Sequence, residues 1–412
     1  MNKLGSLLAV LCLFAVASTS RAATTYTDAA AFSAAVAEQG LNFVLNLDSQ
    51  AAGSSAAGYG MLTVSADGLQ SDGSTRDMIL PVATDTYSAA SGQNSMGGTN
   101  SENQYLAGNG DKIVFNLSHP VNAFGVRLIG NPSPTGDPAI PFWRMRANIG
   151  IGFDAYSATT PSGTLSKGND LYFLGIVSQD TFNQVELYSD NDLAAAFSFN
   201  VDDITVAADV QKLNLSQVKS SAPQAVVLSN VVVTRVHRDR FNVETNNRVS
   251  GLAILGYGPA RGKEVSVFGE VHSTADGEQV MNLIHLINEQ DPVSCIPDPL
   301  GMGNLAVGGG CINGLQVGCD GSTGPNNIGL DVVTWGKITS IAPGFAWMTV
   351  DDGSNRESGT GYPGVKVIGS IQDQNRQVGD RVRIQGSSSI FMSGGNYYPL
   401  IKVAQSSDVT GL

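Results

Sequence analysis

Two adjacent aspartates interrupt the apolar alternation of one predicted strand. In FSFNVDDITVA, which starts at Phe197, the apolar residues change from one face of the strand to the other at Asp202 and Asp203. A β-bulge produces such a shift and re-aims the side chains beside it. Together with Asp48, these two carboxylates predict hard oxygen ligands for a structural Ca²⁺ ion. The alternative is a solvated acidic turn that holds no ion.

Four aromatic residues near the C-terminal end form a second candidate group. Phe345 and Trp347 take the strand positions that alternate with apolar core candidates, and Tyr397 and Tyr398 follow in the last strand pattern. An exposed aromatic pair can stack against a sugar ring or a nucleic-acid base. The alternative is that the rest of the chain covers Phe345 and Trp347, and that the two tyrosines are ordinary hairpin residues.

A short basic run, TRVHRDRF, supplies Arg238 and Arg240 as candidate phosphate contacts. Acidic residues interrupt the run, so an ion-paired hairpin tip is the alternative. The whole chain has 23 basic and 36 acidic residues and a net charge of -13, which disfavours nucleic acid and anionic membranes as partners. None of the four histidines lies in a complete catalytic motif. We therefore predict a protein that is not an enzyme.

The N-terminus has the pattern of a secretory signal peptide. Lys3 precedes an apolar run that ends at Ala17, and small residues follow up to Ala22, which predicts cleavage near that residue. No later stretch has the roughly 20 apolar residues of a transmembrane helix. We expect residues 1–22 to be removed, and the rest to be secreted or extracytoplasmic without membrane insertion.

Three cysteines follow this leader, namely Cys295, Cys311 and Cys319, all in one Gly-rich stretch. In an oxidising compartment their closeness in sequence predicts one disulfide, with one thiol left over. A three-cysteine metal site is the alternative, but the spacing lacks a CxxC pair.

Charge divides the mature chain into two bodies. Residues 23–208 contain six basic and 18 acidic residues, whereas the remainder contains 15 and 18. The first body begins with Thr27 as a predicted helix cap before DAAAFSAAVAEQ. Strand patterns with alternating apolar residues follow, such as KIVFNL from Lys112, separated by Gly-, Ser- and Asn-rich loops. This arrangement predicts an antiparallel sandwich.

Within this body, four segments carry a resemblance. They are TYTDAAAFSAAV, KIVFNLSHPVNAFGVRLIG and YFLGIVSQDTFNQVELYSDND with FSFNVDDITVA. They resemble the sandwich domain of secreted bacterial proteins of the PEP-CTERM-associated kind. The resemblance implies a jelly-roll shape similar to carbohydrate-binding modules. The chain ends VAQSSDVTGL without that family's sorting motif, so anchoring is not implied.

The second body contains an internal repeat. GKEVSVFGEV from Gly262 matches GDRVRIQGSS from Gly379, and four further strand patterns match in the same order. Five short strands with a Gly-marked break before the fourth are typical of the OB-fold. The block resembles tandem OB-folds of secreted bacterial proteins. We predict barrels over 209–287 and 330–412, joined by a Gly- and Cys-rich connector over 288–329 that packs on a barrel.

The sequence thus predicts an all-β protein, a jelly-roll-like β-sandwich followed by two five-stranded OB-like β-barrels. The leading functional hypothesis is binding of an extracellular glycan or a cell-surface protein. Two alternatives are nucleic-acid binding or nuclease assistance through the barrels, and a structural role in surface assembly. The oligomeric state is left open.

Overall fold

The computed structural model describes a chain that is almost entirely β. The described residues are 23–37, 41–45, 62–67, 80–83, 90, 94–97, 105–107, 112–130, 143–149, 153–156, 161–166, 168–189, 197–290, 296–371 and 376–412. They form one large sheet up to Ala208 and two closed five-stranded barrels after it. The predicted fold class is therefore confirmed.

The described residues of the first unit include one α-helix, α1 (Ala29–Val36), and a set of strands whose pairings among these residues are all antiparallel. The strands are β1 (Thr24–Tyr26), β2 (Leu41–Leu45), β3 (Leu62–Asp67), β4 (Leu80–Ala83), β5 (Asn94–Gly97), β6 (Tyr105–Ala107), β7 (Lys112–Gly130), β8 (Trp143–Ala147), β9 (Phe153–Tyr156), β10 (Gly163–Thr164), β11 (Asp170–Ser189) and β12 (Phe197–Ala208). Strands β12, β7 and β11 lie side by side at the centre.

Strand β7 bends back on itself, which makes this sheet a sandwich. Phe115 and Phe124 are nine residues apart, so a straight strand would separate them by about 30 Å. Their ring centroids are only 4.9 Å apart. The two halves of β7 therefore face each other across the core. Ile113, Phe115 and Leu117 are all buried in that core, as the alternation in KIVFNL predicts.

Helix α1 covers a pair of glycines on the central strands. Gly125 on β7 and Gly175 on β11 are cross-strand partners, and a Cβ at either would lie 2.7 or 2.6 Å from a ring atom of Phe32. The glycines thus make the seat for the Phe32 ring. The predicted cap at Thr27 is wrong by one residue. Asp28 is the cap, because its carboxylate accepts a hydrogen bond from the N–H three residues on at 2.7 Å.

The predicted bulge in β12 is confirmed. The pairing of β12 with β7 shifts register between Asp202 and Thr205. Asp203 at this point has a φ of 46°, in the left-handed region that non-glycine residues rarely adopt. Before the shift the odd-numbered residues of β12 face the core, and after it the even-numbered ones do. Val201 and Ile204, on the two sides of the shift, are both buried.

The barrels contain the remaining strands, with a second short helix, α2 (Leu215–Val218), that the sequence did not predict. The first barrel has β13 (Gln211–Lys212), β14 (Gln224–Val236), β15 (Arg240–Glu244), β16 (Gly251–Leu255), β17 (Glu264–Ser273) and β18 (Gln279–Gln290). The second has β19 (Leu300–Gly301), β20 (Asp331–Ile341), β21 (Met348–Asp351), β22 (Val365–Gly369), β23 (Arg381–Ser393), β24 (Asn396–Val403) and β25 (Val409–Gly411). One-turn 3-10 helices cover Asn304–Ala306, Pro343–Phe345 and Ser406–Asp408.

Both barrels close in the same strand order. Counting from the first barrel strand, the order is 1-2-3-5-4 with strand 4 returning to strand 1, and strands 3 and 5 are parallel. Equivalent hydrogen bonds mark the repeat: Gly262 N donates to Val233 O at 2.7 Å, and Gly379 N donates to Ile338 O at 2.9 Å. The predicted duplication is confirmed, and it includes a short parallel strand, β13 or β19, ahead of each barrel.

The connector packs on the second barrel, as expected. Leu300 and Met302 lie against the barrel core, and Val307 is fully buried within it. Asn304 donates to the carbonyl of Val350 at 2.6 Å, which ties the connector to β21. Leu305, by contrast, is 41% exposed. Backbone and amide hydrogen bonds hold this segment in place alongside its few apolar contacts.

The sandwich and the first barrel share a core. Val227 on β14 and Phe268 on β17 point out of the barrel and join the sandwich cluster. The ring of His119 from β7 meets Phe268 edge-on, with centroids 5.1 Å apart. The side of the barrel formed by its strands 1 and 4 is therefore covered by the sandwich.

The seat of Phe32 gives a stability prediction. Gly175→Ala places a methyl group 2.6 Å from a ring atom of Phe32 and 2.9 Å from one of Phe173. Overpacking of this kind lowers the free energy of unfolding by about 1 to 3 kcal/mol. Gly163→Ala is the matched control, because nothing lies within 4 Å of a Cβ there. Thermal unfolding should show a clear loss for the first variant and little change for the second. Equal melting temperatures would contradict this account of the helix seat.

Candidate functional site

The outer face of strands 2 and 3 is buried in the first barrel. Phe241 and Val243 point into the barrel core, so Asn242 and Glu244 point outward from β15, as does Ala253 from β16. Asn242 and Glu244 are nevertheless only 1% exposed and Ala253 only 2%. Another part of the chain must cover this face.

The second barrel covers it. Asn242 donates to the carbonyl of Gly329 at 3.1 Å and accepts from the hydroxyl of Ser387 at 2.9 Å. Glu244 accepts from the N–H of Asp331 at 2.5 Å. Gly251 and Gly329 approach so closely that a Cβ on either would lie within 2.6 Å of the other's backbone. These contacts are polar and specific in geometry, and we call them the inter-barrel contact.

A buried ion-pair group extends the inter-barrel contact. Arg235 Nε donates to Asp331 Oδ1 at 2.8 Å, and its Nη1 donates to Asp408 Oδ2 at 2.6 Å. All three side chains are at most 6% exposed. Removing one partner of such a group leaves an uncompensated buried charge, which is strongly destabilising. A cleft of about 440 Å³ opens beside Arg235 and Asp408, with Arg261 and Gln385 also on its wall.

Burial shifts the pKa values of two side chains at this contact, Glu244 and His237. It raises the pKa of Glu244 to about 7, although the hydrogen bond from the Asp331 N–H favours the charged form. It lowers the pKa of His237 to about 4, and the nearby charges of Arg235 and Arg240 lower it further. His237 Nε2 lies 3.1 Å from the Ser387 hydroxyl, so this histidine has a place in the contact between the barrels.

The equivalent face of the second barrel carries aromatic side chains around a lysine. Lys366 occupies the position on β22 that Ala253 occupies on β16. Its Nζ lies 4.0 Å from the ring centroid of Phe391 and 5.9 Å from that of Trp347. All three side chains are half-buried. Burial lowers the pKa of Lys366, while nearby Asp276 raises it. We call Trp347, Lys366 and Phe391 the aromatic patch.

The structure separates the other predicted aromatic residues. Phe345 packs partly against the barrel core. Tyr398 stands next to Phe391, with ring centroids 5.7 Å apart, but it is only 9% exposed because the loop at Gly359 lies over it. Tyr397 points to the other side of β24 and packs with the connector around Cys319. Of the four predicted aromatics, Trp347 therefore lies in the patch and Tyr398 flanks it.

Sequence reasoning missed Lys366 as a site residue. Its outward position follows from the alternation of β22, where Val365 and Val367 are in the core. That alternation does not show that Trp347, just before β21, and Phe391 on β23 would both lie close to its Nζ. Thr349, which alternates with the core residues Met348 and Val350, is fully buried, and its hydroxyl lies 2.7 Å from the Thr339 hydroxyl.

The basic run divides between two environments. Arg235 and His237 belong to the inter-barrel contact, whereas Arg238 is exposed at the hairpin tip. The Arg240 side chain is 20% exposed and its Nε lies 3.7 Å from Asp239 Oδ1. Among the predicted phosphate contacts, Arg238 is the accessible one and Arg240 has an acidic neighbour.

The acidic residues of β12 are engaged by the sandwich itself. Asp202 is 1% exposed and its carboxylate accepts from the N–H groups of Ala90 and Asp203, both at 2.8 Å. Asp203 Oδ2 lies 3.4 Å from Arg127 Nε. Asp48 lies outside the described residues. In the described ranges, no three His, Cys, Asp or Glu side chains come together as metal ligands would.

The predicted disulfide is not formed by Cys311 or Cys319, since both are free thiols. Cys311 is exposed and its thiol donates to the carbonyl of Asn313 at 2.9 Å. Cys319 is buried with Ile328 and Ile390, and burial raises the pKa of its thiol to about 12. Cys295 lies outside the described residues. Main-chain and amide hydrogen bonds hold this part of the connector without a bond between the two sulfurs.

No protein-family model matches the chain, and no curated protein is similar enough to serve as a relative. In the part of the chain that the structure describes, none of the helices has the length and apolar character that a bilayer crossing demands. The geometry of the two barrel faces is therefore the main guide to function.

The inter-barrel contact predicts a pH effect on stability. Folded Glu244 keeps its proton up to about pH 7, whereas the unfolded side chain loses it near 4.5, so its contribution to stability falls as pH rises between these values. His237 acts in the opposite sense, losing stability as pH falls from 6.5 through about 4. Glu244→Gln keeps the acceptor and removes the first effect.

We therefore expect Glu244→Gln to gain stability over the parent protein as pH rises from 4.5 to 7.5, by about 1 to 3 kcal/mol. Urea unfolding at several pH values measures this difference. Glu357→Gln, on an exposed loop residue, serves as the control. A difference that stays constant with pH would show that Glu244 is not held protonated by burial.

Proposed function

We propose that this protein is a secreted, non-catalytic binding protein that holds an extracellular glycan on the aromatic patch of its second barrel. One observation supports the proposal above the others. Of the two equivalent barrel faces, one is buried against protein, and the other has two half-buried rings whose centroids lie 4.0 and 5.9 Å from a lysine Nζ. OB-folds bind oligosaccharides and oligonucleotides on this face of strands 2 and 3.

The chemistry of the patch suits a sugar. The apolar side of a pyranose ring can stack on Trp347 or Phe391, since each ring keeps part of its surface in water. The Lys366 ammonium, which lies close to both rings, can donate hydrogen bonds to sugar hydroxyls. A site fixed on neighbouring strands holds these groups more precisely than a mobile loop would.

Export and ancestry belong to the same proposal. We take residues 1–22 as a cleaved signal peptide, on the pattern of Lys3 and the apolar run after it. We also take the sandwich to be related to those of PEP-CTERM-associated secreted proteins, and the barrels to be tandem OB-folds. A surface protein is the alternative partner, and surface assembly is the alternative role.

Nucleic-acid binding through the barrels remains the second candidate. Arg238 at the exposed hairpin tip is the residue that would contact a phosphate. The net charge of -13 opposes it, because a polyanion gains most of its affinity from clustered cations. Binding of single-stranded DNA that is lost at raised salt and in Arg238→Ala would favour this candidate.

A glycan array followed by titration tests the proposal. We expect the full-length protein to bind at least one polysaccharide, and Trp347→Ala to weaken that binding by about tenfold or more, the loss of one stacking contact. Lys366→Met should weaken it as well. Tyr257→Ala, at a side chain that is 90% exposed on the first barrel, is the control and should bind as the parent does.

Two results would overturn the proposal. Glycan binding that survives both Trp347→Ala and Lys366→Met would place the binding site elsewhere. The absence of binding to every glycan tested, with the protein folded by circular dichroism, would favour the assembly role instead.

A further inference from the structure

A second cleft, of about 480 Å³, lies on the side of the second barrel formed by strands 1 and 4. It shares no residue with the aromatic patch. Its walls include an aromatic ring, two cations and two carboxylates, from Trp335, Lys337, Asp351, Asp352 and Arg381. Nothing in the proposed function uses it.

Trp335 is the most unusual feature of this cleft. It points outward from β20 and is 48% exposed, although indole is among the side chains most costly to leave in water. Next to it, Gly336 has no room for a side chain, because a Cβ would lie 2.4 Å from the carbonyl oxygen of Asp351. Gly336 lines the cleft beside the indole with backbone atoms alone.

The two cations of the cleft have no ion-pair partner in the described part of the chain. Lys337 on β20 and Arg381 on β23 are cross-strand partners, and both side chains are exposed. Adjacent like charges repel one another in a sheet. Lys337 is also the cross-strand partner of Asp351 on β21, which offsets part of this repulsion. A ligand with a single negative charge, placed between the two cations, would relieve the rest.

The carboxylates of the cleft are partly occupied by a turn. Asp351 accepts from the N–H of Asn355 at 3.1 Å. Asp352 accepts from the N–H groups of Asn304 and Ser354, at 2.8 and 3.0 Å. These bonds fix both side chains. Each carboxylate oxygen has a further lone pair with which it can accept from a hydroxyl group.

We propose that this cleft binds a carboxylated sugar residue of the uronic acid type. The C–H face of the pyranose ring stacks on the Trp335 indole, and the sugar carboxylate lies between Lys337 and Arg381. Ring hydroxyls donate to Asp351 and Asp352. The site adds an acidic-sugar specificity that the aromatic patch does not provide, and it is argued from different residues.

The same groups disfavour a nucleic acid here. A phosphodiester chain carries one charge per nucleotide, and its affinity grows with the number of cations along its path. This cleft offers two cations beside two carboxylates, so no run of cations follows a path through it. One carboxylate among several hydroxyls matches that mixture, whereas a run of phosphates does not.

Titration with tetragalacturonic acid tests the proposal, with its fully methyl-esterified form as the matched probe. The two differ in charge but keep the same rings. We expect the acid to bind at low salt. The ester should bind at least about tenfold more weakly than the acid. Trp335→Ala should weaken binding of the acid by about tenfold or more, and Trp335→Phe should keep part of it. Lys337→Gln should weaken it and reduce its dependence on salt.

Each contrary result has one meaning. If the acid does not bind, if the ester binds equally well, or if Trp335→Ala leaves the titration unchanged, the proposal is overturned. Binding of a ten-nucleotide dT strand that also depends on Trp335 and Lys337 would replace the sugar by a nucleic acid. Trp347→Ala separates the two sites, because it should leave acid binding here unchanged whether or not the aromatic patch binds a glycan.

Discussion

The inter-barrel contact determines which surfaces of this protein are available. Asn242 and Glu244 would be ordinary polar residues on the outer face of an isolated barrel. In the folded chain they are buried, and each finds its partner on the other barrel, at Gly329, Ser387 and Asp331. Buried polar groups are tolerated only with such partners. The two barrels must therefore keep one relative position, because any other would leave these groups unpaired.

The three units form a head-to-tail stack as a result. The sandwich covers the strand 1 and 4 side of the first barrel through Val227 and Phe268. The first barrel in turn covers the corresponding strand 4 of the second barrel, where Ser387 and Ser389 are buried. The first barrel uses unlike sides toward its two neighbours, so the stack leaves the strand 2 and 3 face of the second barrel uncovered by another unit. That face carries the aromatic patch.

Duplicated positions show how the two copies diverged. Where the first barrel has Ala253, small and covered by its neighbour, the second has Lys366 close to two aromatic rings. Where the first has Phe268 in the sandwich core, the second has Gln385, which donates to Asp331 at 3.1 Å. The interior positions stayed apolar in both copies. The copies differ mainly on their outer faces. There the type of residue depends on whether a neighbouring unit covers the position or leaves it in solvent.

The sequence contained enough to predict the strands, the bulge and the duplication, because each depends on local alternation or on a glycine at a turn. Gly262 and Gly379 make the equivalent hydrogen bond in the two copies, which is why the repeat could be recognised in the amino-acid sequence. The burial of Asn242, Thr349 and Glu244 could not be predicted in this way. It depends on how distant segments pack, as does the placement of Phe391 over Lys366, and the thiols of Cys311 and Cys319 remained apart for the same reason.

The central claim is that one barrel face is closed and its duplicate is open. Thiol labelling at two equivalent positions tests it directly, in a Cys311→Ser background with peptide mapping to assign each label. Ala253→Cys should react slowly, since that position is 2% exposed, while Lys366→Cys should react readily. Equal, rapid labelling of both cysteines in the folded protein would show that the first face is also open, and the account would be wrong.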